Sequence, residues 1–253
     1  PSMAQLADRH DLYQQSVQCV EAEIDFVDDT YKALRGRRAR TLREDFCGTA
    51  NTSAEWIRRR KSNRAFAVDI DGEVLDWGRE HNLGPLGKDA KRCQLIQENV
   101  LEAEVPPVDA LLAMNFSYWL FQSRETLKAY FVAAREALNE DGILFLDAYG
   151  GYDCHKVARD RHELDGFVYI WDQAEFDPIS HVMKCFIHFR FPDGSRLNRA
   201  FSYEWRFWSL PELKELLHEA GFENVTVYWQ GTDEEGEADG EDDVREGRFA
   251  VAR

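Results

Sequence analysis

The sequence predicts an α/β fold: a doubly wound parallel sheet with helices on both faces. Three observations predict it. Over residues 39–150, short β-like runs alternate with amphipathic helical runs. Over 151–208, long β-like runs follow one another with turns and no helix between them. A last helix and two β-like runs then close the chain. With 253 residues, 44% of them hydrophobic, there is ample material for a large core, and one domain carrying an insertion fits better than two.

Apolar residues at Tyr13, Val17, Val20, Ile24, Val27, Tyr31 and Leu34 step by four and three, which is one stripe of a single N-terminal helix. Gly36 ends it, and Arg35, Arg37 and Arg38 suit the negative end of a helix dipole. Strands follow over 39–46, 64–70, 93–97, 108–115 and 143–149, with helices over 51–60, 72–82 and 123–139. Ser123 caps the last of these helices, and Asp141-Gly142 marks its end. The runs 166–176, 181–191 and 196–208 read as an antiparallel meander, turned by Asp177-Pro178 and by Pro192-Asp193-Gly194. Ser209 with Glu212 three residues on forms a capping box, and Gly221 stops that helix. Residues 224–230 and 248–253 then make a closing hairpin.

Charge narrows the function classes. The net charge of −16 repels polyanions, so nucleic acid and anionic membranes are not expected partners. No apolar run is long enough to span a bilayer, and no signal peptide is visible. The five cysteines, Cys19, Cys47, Cys93, Cys154 and Cys185, lie at least 28 residues apart, which excludes a metal knuckle and a redox pair and suggests a reducing, cytoplasmic setting. No histidine pair has metal-ligand spacing, so no metal is expected. Eight acids crowd residues 232–243 without the ligand order of a calcium loop, and read as a solvated tip.

Ligands of open α/β sheets bind outside the carboxyl ends of the strands. That selects residues 44–50, 69–71, 98–100 and 115–118. Gly48 permits close backbone approach in the first segment, but there is neither a G-x-G-x-x-G fingerprint nor a P-loop lysine. Glu44 and Asp45 would repel a pyrophosphate and attract a cation, and Asp69 is placed to accept hydrogen bonds from ribose hydroxyls. The preferred ligand is a positively charged nucleoside without phosphate, a description that S-adenosyl-L-methionine meets.

The string LREDFCGTA (42–50) resembles a degenerate first motif of the class I S-adenosylmethionine-dependent methyltransferases. VDID (68–71), QENVLE (97–102), DALLAMNF (109–116), DGILFLDAYGG (141–151) and the segment 208–228 resemble the family's later motifs in order, so the resemblance covers nearly the whole chain. REDFCGTA and NFSYW also resemble strings of a bacterial group in that family, and the antiparallel insert resembles small-molecule N-methyltransferases of the amino-sugar and glycine type. The resemblance implies a seven-stranded Rossmann-like sheet in the order 3-2-1-4-5-7-6 with an antiparallel last hairpin. It further implies an N-terminal helical lid (1–38), a cofactor-binding half (39–150), a β insert on the substrate side (151–208) and a closing helix and hairpin (209–253).

What it implies for the site can be stated residue by residue. Glu44 lies near the methionine amino group, and Phe46, Cys47, Gly48 and Thr49 line the methionine moiety. Asp69 holds the ribose, Ile70 lies against adenine, and Asn99 with Val100 takes the adenine edge. Asn115 and Phe116 border methyl transfer. Phe46 and Ala50 depart from the family's glycines, and Arg43 and Asp45 occupy normally apolar positions, where period two puts them on one face, to pair with each other or with neighbours.

The expected activity is methyl transfer to a small molecule, nitrogen in preference to oxygen, by a monomer or homodimer. Candidates for taking the acceptor's proton are His155, Tyr149 and Asp147. Candidates for touching the substrate are Tyr13, Tyr118, Tyr152, Trp171 and Arg206. The alternatives are a non-catalytic S-adenosylmethionine-binding module and, behind it, a nucleotide-cofactor oxidoreductase.

Overall fold

The computed structural model describes residues 1–229 and 245–252, with Tyr152, Trp229 and 245–252 described by backbone alone. The acidic stretch 232–243, Gln230 and Arg253 lie outside the described residues. The chain divides into two compact units, one of Pro1–Cys19, Trp119–Gln122 and Gly151–Trp208, the other of Val20–Tyr118, Ser123–Gly150 and Ser209–Arg253. We call them the inserted unit and the sheet unit.

In the sheet unit, β1 (Thr41–Asp45), β2 (Arg64–Asp69), β3 (Cys93–Gln97), β4 (Val108–Ala113) and β5 (Leu138–Gly150) run parallel. β10 (Asn224–Trp229) and β11 (Arg245–Ala252) join antiparallel on the β5 edge, giving the order β10-β11-β5-β4-β1-β2-β3. This is the predicted 3-2-1-4-5-7-6 order. Strand order reverses between β1 and β4, so their tips open on the crevice where a ligand can lie. The helices are α3 (Val20–Arg35), α4 (Asn51–Arg59), α5 (Gly72–Gly78), α6 (Arg124–Glu136) and α7 (Leu210–Glu219). Two of them carry the predicted local start signals: Ser123 caps α6, and Ser209 with Glu212 closes the predicted capping box of α7.

The inserted unit is a four-stranded antiparallel sheet, β6 (Ala158–Leu164), β7 (Phe167–Phe176), β8 (Val182–Arg190) and β9 (Arg196–Arg206). Two short helices, α1 (Met3–Leu6) and α2 (Arg9–Val17), belong to it. The Met3 and Ala4 amides donate to Asp193 Oδ2 at 2.8 Å and Ser195 Oγ at 3.0 Å in the β8–β9 turn. Leu12, Tyr13 and Val17 of α2 join Phe189 and Phe201 of the sheet in one apolar cluster.

Three expectations need correction. The single N-terminal helix is two, α2 and α3, because Gln18 takes an extended backbone at φ −100° and ψ 128°, and the short α1 precedes them. Period alone cannot see this break, since the stripe runs on in phase while its halves bury in different cores: Leu12 in one, Ile24, Val27 and Tyr31 in the other. The helix over 72–82 stops at Gly78 and continues as a π-helical turn, Arg79–Leu83, then a 3-10 segment, Gly84–Arg92. Strand β6 escapes the sequence reading because ARDRHEL is almost wholly exposed on a sheet edge, where charged residues deter further pairing and no apolar alternation is needed.

Of the two expected alternatives, Arg43 and Asp45 pair with each other, with Arg43 Nε 2.6 Å from Asp45 Oδ1 and both side chains buried. The Tyr130 hydroxyl of α6 donates to the second carboxylate oxygen at 2.9 Å. The guanidinium also donates to the carbonyls of Val100 and Ala103, binding β1 to the loop after β3. Charges this deep are tolerated because each polar atom is satisfied. Asp45→Ala strands the guanidinium, and a loss of about 3–5 kcal/mol in urea-denaturation stability is expected. Replacing both members, Arg43→Met with Asp45→Leu, is expected to cost less than the single change, and the reverse ranking would refute the account.

Candidate functional site

The site grows from the tips of β1 and β2. After Asp45 the chain turns through three left-handed residues, Phe46 (φ 55°), Gly48 (φ 52°) and Ala50 (φ 54°), before α4 begins. Phe46 and Ala50 thus adopt the backbone that glycine adopts freely, at a cost of about 1–3 kcal/mol each that surrounding contacts must offset. Those contacts are visible. The Cys47 amide donates to the Val68 carbonyl at 3.0 Å, and the Gly48 amide to Asp69 Oδ2 at 2.8 Å. The Phe46 ring lies against Tyr130 of α6, 5.6 Å between centroids.

The second wall of this loop is α5. A Cβ on Gly78 would fall 2.2 Å from the Thr49 carbonyl oxygen, so only glycine lets the helix approach this closely. Asn82 donates its side-chain amide to the same oxygen at 2.8 Å. Neither residue was singled out from the sequence. An isolated glycine within an amphipathic helix is the one signal that could have pointed to Gly78.

Asp69 accepts the Asp71 amide on Oδ1 at 3.0 Å as well as Gly48 on Oδ2. A carboxylate offers roughly four acceptor positions, so both oxygens keep capacity for a diol. Beside it Ile70 is 71% exposed, an apolar surface at the strand tip on which a flat heterocycle can lie. Asn99 turns its own loop, its Oδ1 accepting the Leu101 amide at 3.0 Å, and Val100 is buried next to it.

Glu44 is buried at the end of β1, with Oε2 accepting the Ser53 amide at 2.9 Å and the Ser53 hydroxyl. Burial pushes its carboxyl up to about 8, against the pull of the Ser53 bonds and with the repulsion of Glu23 and Asp69 adding to it. Glu23 on α3 is itself buried and accepts from Thr52 Oγ1 at 3.2 Å. Glu44 therefore holds a proton at neutral pH, and a cation is what would displace it. Burial also drives the Cys47 thiol well above its ordinary range, so this cysteine is no nucleophile.

At the tip of β4, Asn115 (φ 58°) and Phe116 (φ 56°) are consecutive left-handed residues. Asp147 on β5 holds them, accepting the Asn115 amide at 2.6 Å and the Phe116 amide at 2.9 Å. The Tyr118 hydroxyl donates to the Asp147 carbonyl at 2.7 Å, and the Phe116 ring meets Tyr149 edge-on at 4.8 Å. Asp147 accepts one backbone amide on each oxygen and so positions this turn. One expected role is corrected here. Tyr118 is wholly buried and cannot touch a substrate.

Other expected residues lie on the inserted unit. Tyr13 packs on Phe201 at 5.0 Å, and Trp171 lies beside Tyr203 and Trp205 at 6.2 and 6.0 Å. His155 is exposed, with its ring among Phe176, His181 and Phe207. Arg206 stacks on Trp208 at 3.7 Å and donates to the Gln122 carbonyl, so its guanidinium serves its own unit. The Tyr152 side chain lies outside the described residues. Among the described residues no group of three His, Cys, Asp or Glu is placed to hold a metal ion, and no helix is long and apolar enough to cross a membrane.

No family model matches the sequence, and no curated protein matches it. Solved structures do. An S-adenosylmethionine-dependent methyltransferase from Clostridium acetobutylicum is 16% identical with a TM-score of 0.71, covering 96% of each chain. CalS10, an amino pentose methyltransferase from Micromonospora echinaspora, is 14% identical with a TM-score of 0.70, covering 96% of this chain and 95% of that one. The sugar N-methyltransferase KedS8 from Streptoalloteichus is 17% identical with a TM-score of 0.68, covering 98% and 93%. The chain has the fold of the class I S-adenosylmethionine-dependent methyltransferases.

Gly78→Ala tests the support of the Thr49 turn. The added methyl has backbone, not a flexible side chain, in its way, so a loss of about 1–3 kcal/mol is expected despite alanine's better helix propensity. A thermal or urea midpoint equal to or above the parent's would contradict the close approach.

Proposed function

We propose that this protein transfers a methyl group from S-adenosyl-L-methionine to a small-molecule acceptor, nitrogen in preference to oxygen. The observation that carries the reading is the pairing, at adjacent strand tips, of a half-buried ribose-type carboxylate with a buried carboxyl poised near neutrality: Asp69 and Glu44. The residues fit the cofactor part by part. Asp69 has acceptor capacity for the ribose hydroxyls, Ile70 offers an apolar face to adenine, and Asn99 and Val100 lie at the next tip. The left-handed Gly48 lets the backbone come close, with Cys47 and Thr49 beside it, and Glu44 is the group that an ammonium would ionise. The sugar N-methyltransferase among the structural neighbours supports the preference for nitrogen.

When bound, the cofactor supplies an electrophilic methyl on a sulfonium, and transfer leaves a neutral thioether. No oxyanion forms, so the chain's task is alignment, with the nucleophile held about 3 Å from the methyl on the line of displacement. The Asn115-Phe116 turn suits that task, its two amides held by Asp147 and the Phe116 ring set edge-on against Tyr149. An amine acceptor gives up one proton. Tyr149 and His155 are the groups we assign as candidates to receive it, directly or through water.

S-Adenosylhomocysteine is expected to raise the melting temperature, and NAD or NADP is not. Selective stabilisation by a pyrophosphate dinucleotide overturns the assignment. In calorimetry, Asp69→Ala is expected to weaken S-adenosylhomocysteine binding by about 1–3 kcal/mol, since ribose hydroxyls lose their acceptor. Unchanged affinity in a folded variant removes Asp69 from the site.

A pH effect follows from Glu44. Its carboxyl titrates near 4.5 in the unfolded chain and at about 8 when folded. The unfolded state therefore ionises first, so this residue subtracts stability progressively as pH rises from about 4.5 to 8, and the penalty is complete above that. An ammonium beside Glu44 reverses the preference, so ligand binding near pH 6.5 is expected to release up to about one proton. Calorimetry in two buffers of different ionisation enthalpy measures that release, and Glu44→Gln should abolish it.

A further inference from the structure

The sheet unit has an edge that the methyl-transfer reading does not use. Among the described residues the two sheets end on β10 and β3, and on β6 and β9. An edge strand offers its outward amides and carbonyls to another chain unless something deters the pairing. β6 carries Arg159, Asp160, Arg161 and Glu163, and β9 is broken by a bulge where Arg199 takes a φ of 51°. β3, Cys93-Gln94-Leu95-Ile96-Gln97, has no charge, no proline and no glycine, and it pairs with β2 without a bulge.

The ladder shows which groups of β3 face outward. The Glu98 amide donates to the Asp69 carbonyl of β2 at 3.1 Å. Inward and outward residues alternate along an edge strand, so Gln94 and Ile96 also bond to β2, and Cys93, Leu95 and Gln97 turn their backbone groups away from it. The Cys93 amide closes on the Ala90 carbonyl of the preceding 3-10 segment. Among the described residues nothing takes the Leu95 amide or carbonyl. The Leu95 side chain is half-buried, and with Cys93, Leu83, Ala90, Arg79 and Lys91 it lines a hollow of about 360 Å³. An apolar side chain at the middle of a free edge thus borders open space.

Charge gives this edge a direction. Lys88 and Lys91 before the strand are exposed, and so are Glu98 and Glu102 after it. Arg92 is already engaged, donating to the carbonyls of Ile57, Arg60 and Asn63 at the end of α4. A strand that is basic at its start and acidic at its end complements an antiparallel copy of itself. β10, the other uncharged edge, does not. Glu223 precedes it, and the sequence beyond it runs to Asp233-Glu234-Glu235, so an antiparallel copy would set acid against acid.

We propose that β3 is a homodimerisation strand, on which two copies of this chain pair edge to edge, antiparallel about a two-fold axis at Leu95, into one continuous sheet. The two Leu95 residues exchange both N–H···O=C bonds, and each Gln97 amide reaches the partner's Cys93 carbonyl. Directly opposite side chains share a face, so the two Leu95 side chains meet and fill part of the adjoining hollows. Lys91 comes beside the partner's Glu98 at each end. A ladder of five residues is a small interface, so the dimer is weak and its population follows concentration. The inference does not depend on the methyl-transfer reading.

The test is sedimentation velocity on the full chain at about 0.15 M salt, where repulsion between two chains of charge −16 is screened beyond about 8 Å. Dimer is expected to grow from a minority at about 5 μM to a majority at about 500 μM. Hydrogen exchange over the same range is expected to slow at the Leu95 and Gln97 amides in step with the dimer. Leu95→Pro removes an outward amide without touching the β2 ladder, and is expected to weaken association at least tenfold. Lys91→Glu and Glu98→Lys are each expected to weaken it several-fold, because each sets like charges side by side across the two-fold. An equimolar mixture of those two variants is expected to regain the parent's association, since each changed charge then meets its opposite. A parent that stays monomeric at about 500 μM overturns the proposal. So does a dimer that leaves the Leu95 and Gln97 amides unprotected, or one that Leu95→Pro and both charge variants leave unchanged, because the contact then lies elsewhere. Protection of those amides already complete in the dilute monomer means that another segment of this chain covers the edge, and overturns it too. If Leu95→Pro fails to fold, the exposed charge variants and their mixture decide.

Discussion

One carboxylate joins the two strand tips on which the candidate site is built. Asp69 takes the Gly48 amide on one oxygen and the Asp71 amide on the other, so the end of β2 holds both the turn after β1 and the start of α5. Asp71 in turn caps α5, accepting the Glu73 and Val74 amides. That helix brings Gly78 and Asn82 to the Thr49 carbonyl, which closes the circuit on the turn where it began. A loop with two non-glycine residues at positive φ would relax if any of these contacts were missing. Because they are all present, the turn is ordered before a ligand arrives, and binding need not supply the ordering free energy.

Much of this was legible in the sequence, and the reason is locality. Strand tips, the capping box of Ser209 and Glu212, and the Arg43–Asp45 pair are set by residues within a few positions of each other. Glu44, Gly48, Asp69 and Ile70 could be placed because parallel strands put their carboxyl ends on one edge of the sheet. The misses depended on distant partners. Gln18 breaks a helix whose apolar stripe runs on in phase, and only the existence of two separate cores shows why. β6 carries no apolar alternation because its faces are exposed. Gly78 matters only once Thr49 is known to lie against it.

Asp147 shows how a residue's partners add a role that chain position alone does not reveal. A carboxylate just past the middle of β5 reads as a base when only chain position is known. Its partners are two backbone amides, and those amides belong to consecutive left-handed residues. Strain of this kind persists only where surrounding structure imposes it, and the two charge-assisted hydrogen bonds are what impose it. The same side chain is therefore a clamp on Asn115 and Phe116, and the Tyr118 hydroxyl on its carbonyl fixes the clamp in turn.

The choice among nucleotide ligands then comes down to what the strand tips do with charge. A pyrophosphate would bring two negative charges toward Asp69 and Asp71. At an effective dielectric near 20, a unit like charge about 4 Å away costs about 4 kcal/mol, and no lysine or glycine fingerprint in the turn offsets it. A zwitterionic amino-acid tail on a phosphate-free nucleoside avoids that cost. Its ammonium can take the place of the proton on Glu44, whose burial already makes the isolated carboxylate unfavourable. The buried acid that looks like a liability to the fold is thus the feature that distinguishes the two classes of guest, since one leaves it protonated and idle and the other makes its charge useful.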